Sequence, residues 1–235
     1  MQDKVFAYCE RGSDPGLLAE PLNAVTNLAF ILAGLVVLNT WRRLPAAHRQ
    51  GMVAVFGLLL LAIGTGSGLF HTVATGWASI ADVAPIGAFM LCYWAYAVRR
   101  FLGAGWPATV LATAGFAATL WAAGQITCPA GGGLAWGGEG VCLNGSLGFV
   151  PALLAMPLIG GLAALRRHPV APALFLAAGI FTLSLSLRSL DRALCDVLTF
   201  GGTPVGSHFL WHLLNAATLY LLVRAAQQHG IRSNG

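Results

Sequence analysis

The last apolar stretch of the chain, residues 205–226, opens with Ser207-His208-Phe209-Leu210-Trp211-His212-Leu213-Leu214-Asn215. Two imidazoles four residues apart stand on one face of a helix, one turn above the other, and from there both can reach one metal ion. The stretch is apolar enough to cross a bilayer, where an ionisable side chain is expensive and marks function by default. The competing reading is two histidines at a helix mouth, each bonded to a loop carbonyl. The rest of the chain decides between them.

Seven segments are each close to the ~20 residues that cross hydrocarbon; they run over about 22–41, 51–71, 81–98, 107–126, 147–165, 170–188 and 205–226. Of 235 residues, 57% are apolar and 9% charged, against roughly 25% charged in a soluble domain. Mean hydropathy is +0.74. These features specify an all-α membrane protein, a seven-transmembrane-helix bundle in one domain over 1–235. The first twenty residues are polar and contain no apolar h-region, so no cleavable signal peptide is expected. The pI near 9.3 does not indicate nucleic acid, because the basic residues sit in short interhelical loops and form no binding stripe.

Those loops set the topology. Arg42, Arg43 and Arg49 follow the first span, Arg99 and Arg100 the third, Arg166 and Arg167 the fifth, and Arg224 and Arg232 the seventh. Nine of the 13 Lys/Arg thus share one side, which the positive-inside rule makes cytoplasmic. The expectation is an integral multi-pass protein with its N-terminus out and C-terminus in. All eight carboxylates (Asp3, Glu10, Asp14, Glu20, Asp82, Glu139, Asp191, Asp196) then fall on or near the outer side. His48, His168 and His229 fall in inner loops or the tail, where solvation explains them. His71, His208 and His212 lie at the outer ends of the second and seventh spans. Three histidines at one depth match the ligand number of a catalytic zinc site with an open fourth position.

Cys9, Cys128, Cys142 and Cys195 lie in outer segments and Cys92 inside the third span. Four cysteines on an oxidising face suggest two disulfides. Cys128 and Cys142 flank a Gly-rich loop and are natural partners, which leaves Cys9 with Cys195, although four cysteines allow three pairings. Small residues in the spans (Gly57, Gly64, Gly66, Gly68, Gly160, Gly161) are expected at close helix contacts, and Pro151 and Pro157 are expected to kink the fifth helix. Asn144-Gly145-Ser146 is a formal glycosylation sequon on the outer side.

Ser67 precedes His71 by one turn on the same helix face; the plain alternative is a back-bond to the carbonyl four residues earlier. Asp82 opens the third helix three residues before Pro85, as an N-cap ahead of a first-turn proline would. As a catalytic group it would stand level with the three histidines and take a proton from metal-activated water.

The chain resembles the alkaline ceramidases, within the wider superfamily of seven-helix membrane hydrolases that includes the adiponectin receptors. The matching marks are Tyr8-Cys9-Glu10, then Ala19-Glu20-Pro21-Leu22-Asn23 with Thr26-Asn27. Gly66-Ser67-Gly68-Leu69-Phe70-His71, Asp82 with Pro85, Leu190-Asp191-Arg192-Ala193-Leu194-Cys195 and His208 to His212 follow, in family order from end to end. The resemblance implies that His71, His208 and His212 ligate zinc, that Asp82 activates the water, that Ser67 stabilises the oxyanion, and that Cys9 pairs with Cys195. Family ceramidases also carry calcium in the N-terminal segment, which here implies Glu10 and Glu20. The chain departs from that pattern: Ala7 and Gly12 replace an Asp and an Asn, and the spacing to Glu20 is one residue shorter. Asp14 is the carboxylate that can substitute, but calcium wants six to eight oxygens and two are lost. Glu20 has two other expected roles, a cap on the first helix or a partner for Arg192.

The expected function is a zinc-dependent intramembrane hydrolase of lipid amides, foremost ceramide, acting near the outer (periplasmic, lumenal or extracellular) face. Its partners are the membrane lipid and water, and no motif names a protein partner. The fourth to sixth spans carry no ionisable residue in their cores and are suited to enclose an acyl chain. The alternative is a non-enzymatic receptor or lipid-binding protein with a structural zinc. A metal or proton transporter fits less well, since its polar relay should continue across the membrane.

Overall fold

A computed structural model of the chain describes residues 3–129 and 141–230. All seven expected spans are helical: 21–43, 51–73, 76–100, 106–124, 147–165, 171–190 and 208–229. We label the helices α1 (Pro21–Thr26), α2 (Leu28–Arg43), α3 (Gly51–Val73), α4 (Gly76–Arg100), α5 (Trp106–Gly124), α6 (Val150–Leu165), α7 (Ala171–Leu190) and α8 (His208–His229).

The first span is two helices, divided at Asn27. Its side chains compete with the backbone there. Thr26 Oγ1 donates to the Leu22 carbonyl at 2.7 Å and Asn27 Nδ2 to the Asn23 carbonyl at 2.8 Å, the back-bonding that bends helices. The third span begins five residues earlier than expected. Ala74 alone turns the chain between α3 and α4, in the left-handed region at φ 47°. The N-terminal segment supports that turn: Val5 N–H donates to the Ala74 carbonyl at 2.8 Å, and Lys4 Nζ donates to the Val73 carbonyl at 2.8 Å. Asp82 therefore lies in the second turn of α4 and is not its cap, and Pro85 is interior to the helix. Pro151, expected to kink α6, sits in its first turn and starts it, whereas Pro157 is interior.

α3 is the centre of the packing, between α2 and α4, and touches α8. Gly66 makes its approach to α4 possible, because a Cβ there would stand 2.0 Å from the Ala81 carbonyl oxygen. That contact brings Ser67 beside the next residue of α4, Asp82. At Gly161, in contrast, an added Cβ would meet open space.

At the arginine-bearing end, Phe56, Phe89, Tyr93, Tyr96 and Phe101 form a buried aromatic cluster. The Tyr93 and Tyr96 hydroxyls donate to the α8 carbonyls of Leu222 and Ala226 at 2.9 and 3.0 Å. His48 is exposed, as expected. His168 and His229 are not simply solvated: the His168 ring packs on Phe101 and its Nδ1 accepts from Val170 N–H.

At the other end the N-terminal coil lies across the mouth of the bundle. A two-stranded hairpin, β1 (Thr199–Phe200) and β2 (Thr203–Pro204), leads into α8.

Candidate metal centre

His71 stands in the last turn of α3, and His208 and His212 in the first two turns of α8. All three are at most 1% exposed. Each offers one ring nitrogen to a group whose members lie within 4.8 Å of one another. Among the described residues this is the only set of three or more His, Cys, Asp or Glu able to hold an ion. His71 Nε2 and His208 Nδ1 are buried with no hydrogen-bond partner. Such orphans cost about 1–3 kcal/mol each if left so, and a metal ion bound to these atoms would remove that cost. The residues fit zinc.

Surrounding groups fix which nitrogen is free. Glu20 Oε2 meets His71 Nδ1 at 2.5 Å, which places the proton on Nδ1 and the lone pair on Nε2. Thr26 Oγ1 lies 2.9 Å from His212 Nδ1. Its own hydrogen goes to the Leu22 carbonyl, so it accepts from Nδ1–H and leaves Nε2 of His212 as the ligand atom. The break after Thr26 is thus next to a residue that orients a candidate ligand. The Tyr8 ring stacks on His208 at a centroid distance of 3.6 Å. Burial pushes the Tyr8 hydroxyl up to about 12, with Arg188 pulling the other way.

The calcium residues are committed elsewhere. Glu20 makes no cap bond; the cation that meets it is Arg11, whose Nε donates to Oε1 at 2.5 Å. The guanidinium also donates to the carbonyls of Asp14, Gly16, His71 and Thr72, at 2.8–3.4 Å. It is 2% exposed. Glu10 accepts the Leu22 and Asn23 N–H groups at the start of α1, at 2.7 and 2.8 Å, and Asp14 accepts Gly16 N–H at 2.7 Å. A resident guanidinium thus holds Glu20, and backbone N–H groups hold Glu10 and Asp14, so the residues do not fit calcium. Burial pushes the Glu20 carboxyl up, but His71, Arg11 and Asn23 outweigh it and hold it below the usual carboxylate range.

A second buried carboxylate sets the start of α8. Asp191 is 0% exposed and accepts three backbone N–H groups: Cys9, Ser207 and His208, at 2.9, 2.8 and 2.9 Å. Gly206 adopts φ +63°, and a Cβ on it would stand 2.2 Å from Asp191 Oδ1. Only glycine is accommodated there. Burial pushes the Asp191 carboxyl up, against the three N–H bonds and Arg188. Cys9 and Cys195 form a disulfide beside this knot, and Cys128 and Cys142 form the second; residues 130–140, most of the Gly-rich loop, and Glu139 with them, lie outside the described residues.

Ser67 and Asp82 face each other on the wall of a cavity of ≈ 350 Å³ that His208 and His212 also line. The structure therefore brings together five of the residues read as a constellation: His71, His208, His212, Asp82 and Ser67. It adds one that the sequence reading left out. Arg188, in the last turn of α7, lines the same cavity, with its guanidinium 5.2–5.9 Å from the rings of Tyr8, Phe149 and Trp211. It donates to the Asn144 carbonyl at 2.5 Å and to Ser146 Oγ and the Tyr8 hydroxyl at 3.2 Å. The sequon asparagine, Asn144, is buried and donates to the Arg188 carbonyl, which leaves it no room for a glycan.

Ile86 and Phe149 also line a second, narrow apolar passage of ≈ 70 Å³ among α4 to α8. Trp94, Phe116 and Ala155 belong both to that passage and to an open apolar groove between α5 and α6. The chain matches no protein-family model and no curated protein.

Proposed function

We propose that this chain is an intramembrane hydrolase that cleaves the N-acyl bond of ceramide-class lipid amides, with one zinc ion held by His71, His208 and His212. The observation that carries this reading is the prepared ligand set: three buried imidazoles converge, two of them with the proton fixed away from the shared point. The resemblance to the alkaline ceramidases supports it, through residues that stand together in the site. A structural zinc normally has four protein ligands, whereas the described residues offer a group of three beside a cavity. The arginine distribution supports an outer position for the site end of the bundle.

Zinc in this position would polarise the amide carbonyl and bring water to a pKa of roughly 7. Asp82 accepts the proton of the attacking water and returns it to the leaving nitrogen. The products are a fatty acid and a long-chain amine. The Ser67 hydroxyl turns from Asp82 to donate to the carbonyl oxygen as charge develops there. The apolar passage and the groove between α5 and α6, which share Trp94, Phe116 and Ala155, would give the acyl chain a lateral path from the bilayer.

Fatty-acid release from a ceramide panel by wild type, Ser67→Ala and Asp82→Asn, with zinc content measured in each, tests the assignment. Loss of one oxyanion donor should slow release by about 100-fold, and Asp82→Asn by about 100- to 10,000-fold, with zinc retained in both. Full activity in Asp82→Asn would remove Asp82 as the base. No release from ceramides or other lipid amides by zinc-loaded wild type would favour the receptor reading.

A further inference from the structure

The hydrolase reading accounts for the histidines, Asp82, Ser67 and the apolar passage, but not for the guanidinium in the same cavity. Arg188 is a full positive charge at the end of an apolar helix. Among the described residues no carboxylate is paired with it; Glu20 is taken by Arg11 and His71. A guanidinium has five N–H donors, and Arg188 spends three, on Asn144, Ser146 and Tyr8. The remainder have no acceptor among the described residues. Tyr8 is in a matching state: its hydroxyl accepts from Arg188, and no described residue accepts its own hydrogen. Two side chains that line the cavity therefore present donors and no acceptor. The rings of Phe149 and Trp211 stack around the guanidinium, which fixes it and keeps water from its faces.

We propose that Tyr8 and Arg188 form an anion-recognition edge, and that the lipid amide taken by this site carries an acidic group, carboxylate or phosphate, on its amine half. The proposal rests on the hydrolase reading and narrows its substrate class. The acyl half is assigned to the apolar passage, whose entrance is at Ile86 and Phe149. The amine half is then left in the polar cavity, against Tyr8 and Arg188. A neutral hydroxyl headgroup has no need of a guanidinium, whereas an anionic oxygen makes shorter and stronger bonds to it, often in pairs.

The test compares lipids that differ in headgroup charge: N-palmitoylglycine with the near-isosteric N-palmitoylethanolamine, and ceramide 1-phosphate with ceramide. Hydrolysis (kcat and KM) and equilibrium binding are both measured on purified zinc-loaded protein in neutral detergent, for wild type, Arg188→Lys, Arg188→Gln and Tyr8→Phe. Charge-assisted bonds predict that wild type favours the acidic member by about 10- to 100-fold, and a preference confined to one pair identifies carboxylate or phosphate. Arg188→Gln should bring the ratio close to one, chiefly through KM. Arg188→Lys should keep most of it and Tyr8→Phe part of it. A clamp that only held the Asn144 loop would not distinguish the two members of a pair. Equal treatment of both members by wild type overturns the proposal, whether or not any variant folds, and so does a preference that survives Arg188→Gln. If neutral and acidic amides are cleaved alike, the hydrolase reading stands without this edge. If acidic lipids bind through Arg188 and none is cleaved, the edge stands and the hydrolase reading falls.

Discussion

Arg11 is a buried cation that works through two other residues. Its guanidinium holds Glu20, Glu20 holds His71 Nδ1, and the free Nε2 of His71 points to the shared site. Removing one member of a buried pair strands the other charge, at a cost of about 3–5 kcal/mol. Groups that orient a metal ligand typically contribute 10- to 100-fold in metal affinity. Arg11→Met and Glu20→Gln should each weaken zinc binding by about that factor in a chelator competition titration; unchanged affinity in both would show that His71 needs no orienting partner. Because the guanidinium occupies Glu20, and Glu10 and Asp14 are taken by backbone N–H groups, calcium should leave thermal stability unchanged, and a calcium-dependent rise in Tm would contradict this assignment. The histidines, Asp82 and Ser67 were legible in the sequence because helical spacing and depth in the bilayer are both local properties. Arg11 was not, since its burial depends on acceptors such as the His71 carbonyl, 60 residues away. Arg188 did leave a signal, an ionisable residue at the end of an apolar span, but its aromatic surroundings come from three separate segments.

The elements that position the site are packed along their lengths and also fastened at their ends. The Asp191 knot fastens the N-terminal coil to the start of α8, and the Cys9–Cys195 link closes a loop of 186 residues around it. On the chain-entropy model such a long loop contributes about 3–5 kcal/mol. Cys9→Ser should lower Tm and release zinc more readily, because His208 is the first residue of α8; an unchanged Tm would mean that Asp191 alone is sufficient. The proposed lateral path gives a separate prediction. Ala155 belongs to both the passage and the α5–α6 groove, so Ala155→Phe should slow hydrolysis of long-chain amides at least 10-fold relative to short-chain ones. Equal slowing of both would place the entry elsewhere. Span positions followed from hydropathy alone, within a few residues. The two discrepancies have local physical causes: side-chain back-bonding at Thr26 and Asn27 splits the first span, and a single left-handed Ala74 lets α4 start early. Neither is visible in periodicity.

At the scale of the whole molecule, one end of the bundle is held by aromatic packing and the other by buried charge. The aromatic end is ordinary core, with tyrosine hydroxyls bonded to helix carbonyls. The charged end places Glu20, Asp191, Arg11 and three histidines at 0–2% exposure, an arrangement that burial alone would oppose. A metal ion held by the three histidines, as proposed, would explain why it is kept. Fatty-acid release from lipid amides, measured on the purified protein before zinc removal, after removal and after zinc is restored, is the most direct measurement. Release should fall to background on removal and return with one zinc per chain. Release that persists without zinc, or zinc-loaded protein that cleaves neither neutral nor acidic lipid amides, would contradict the assignment.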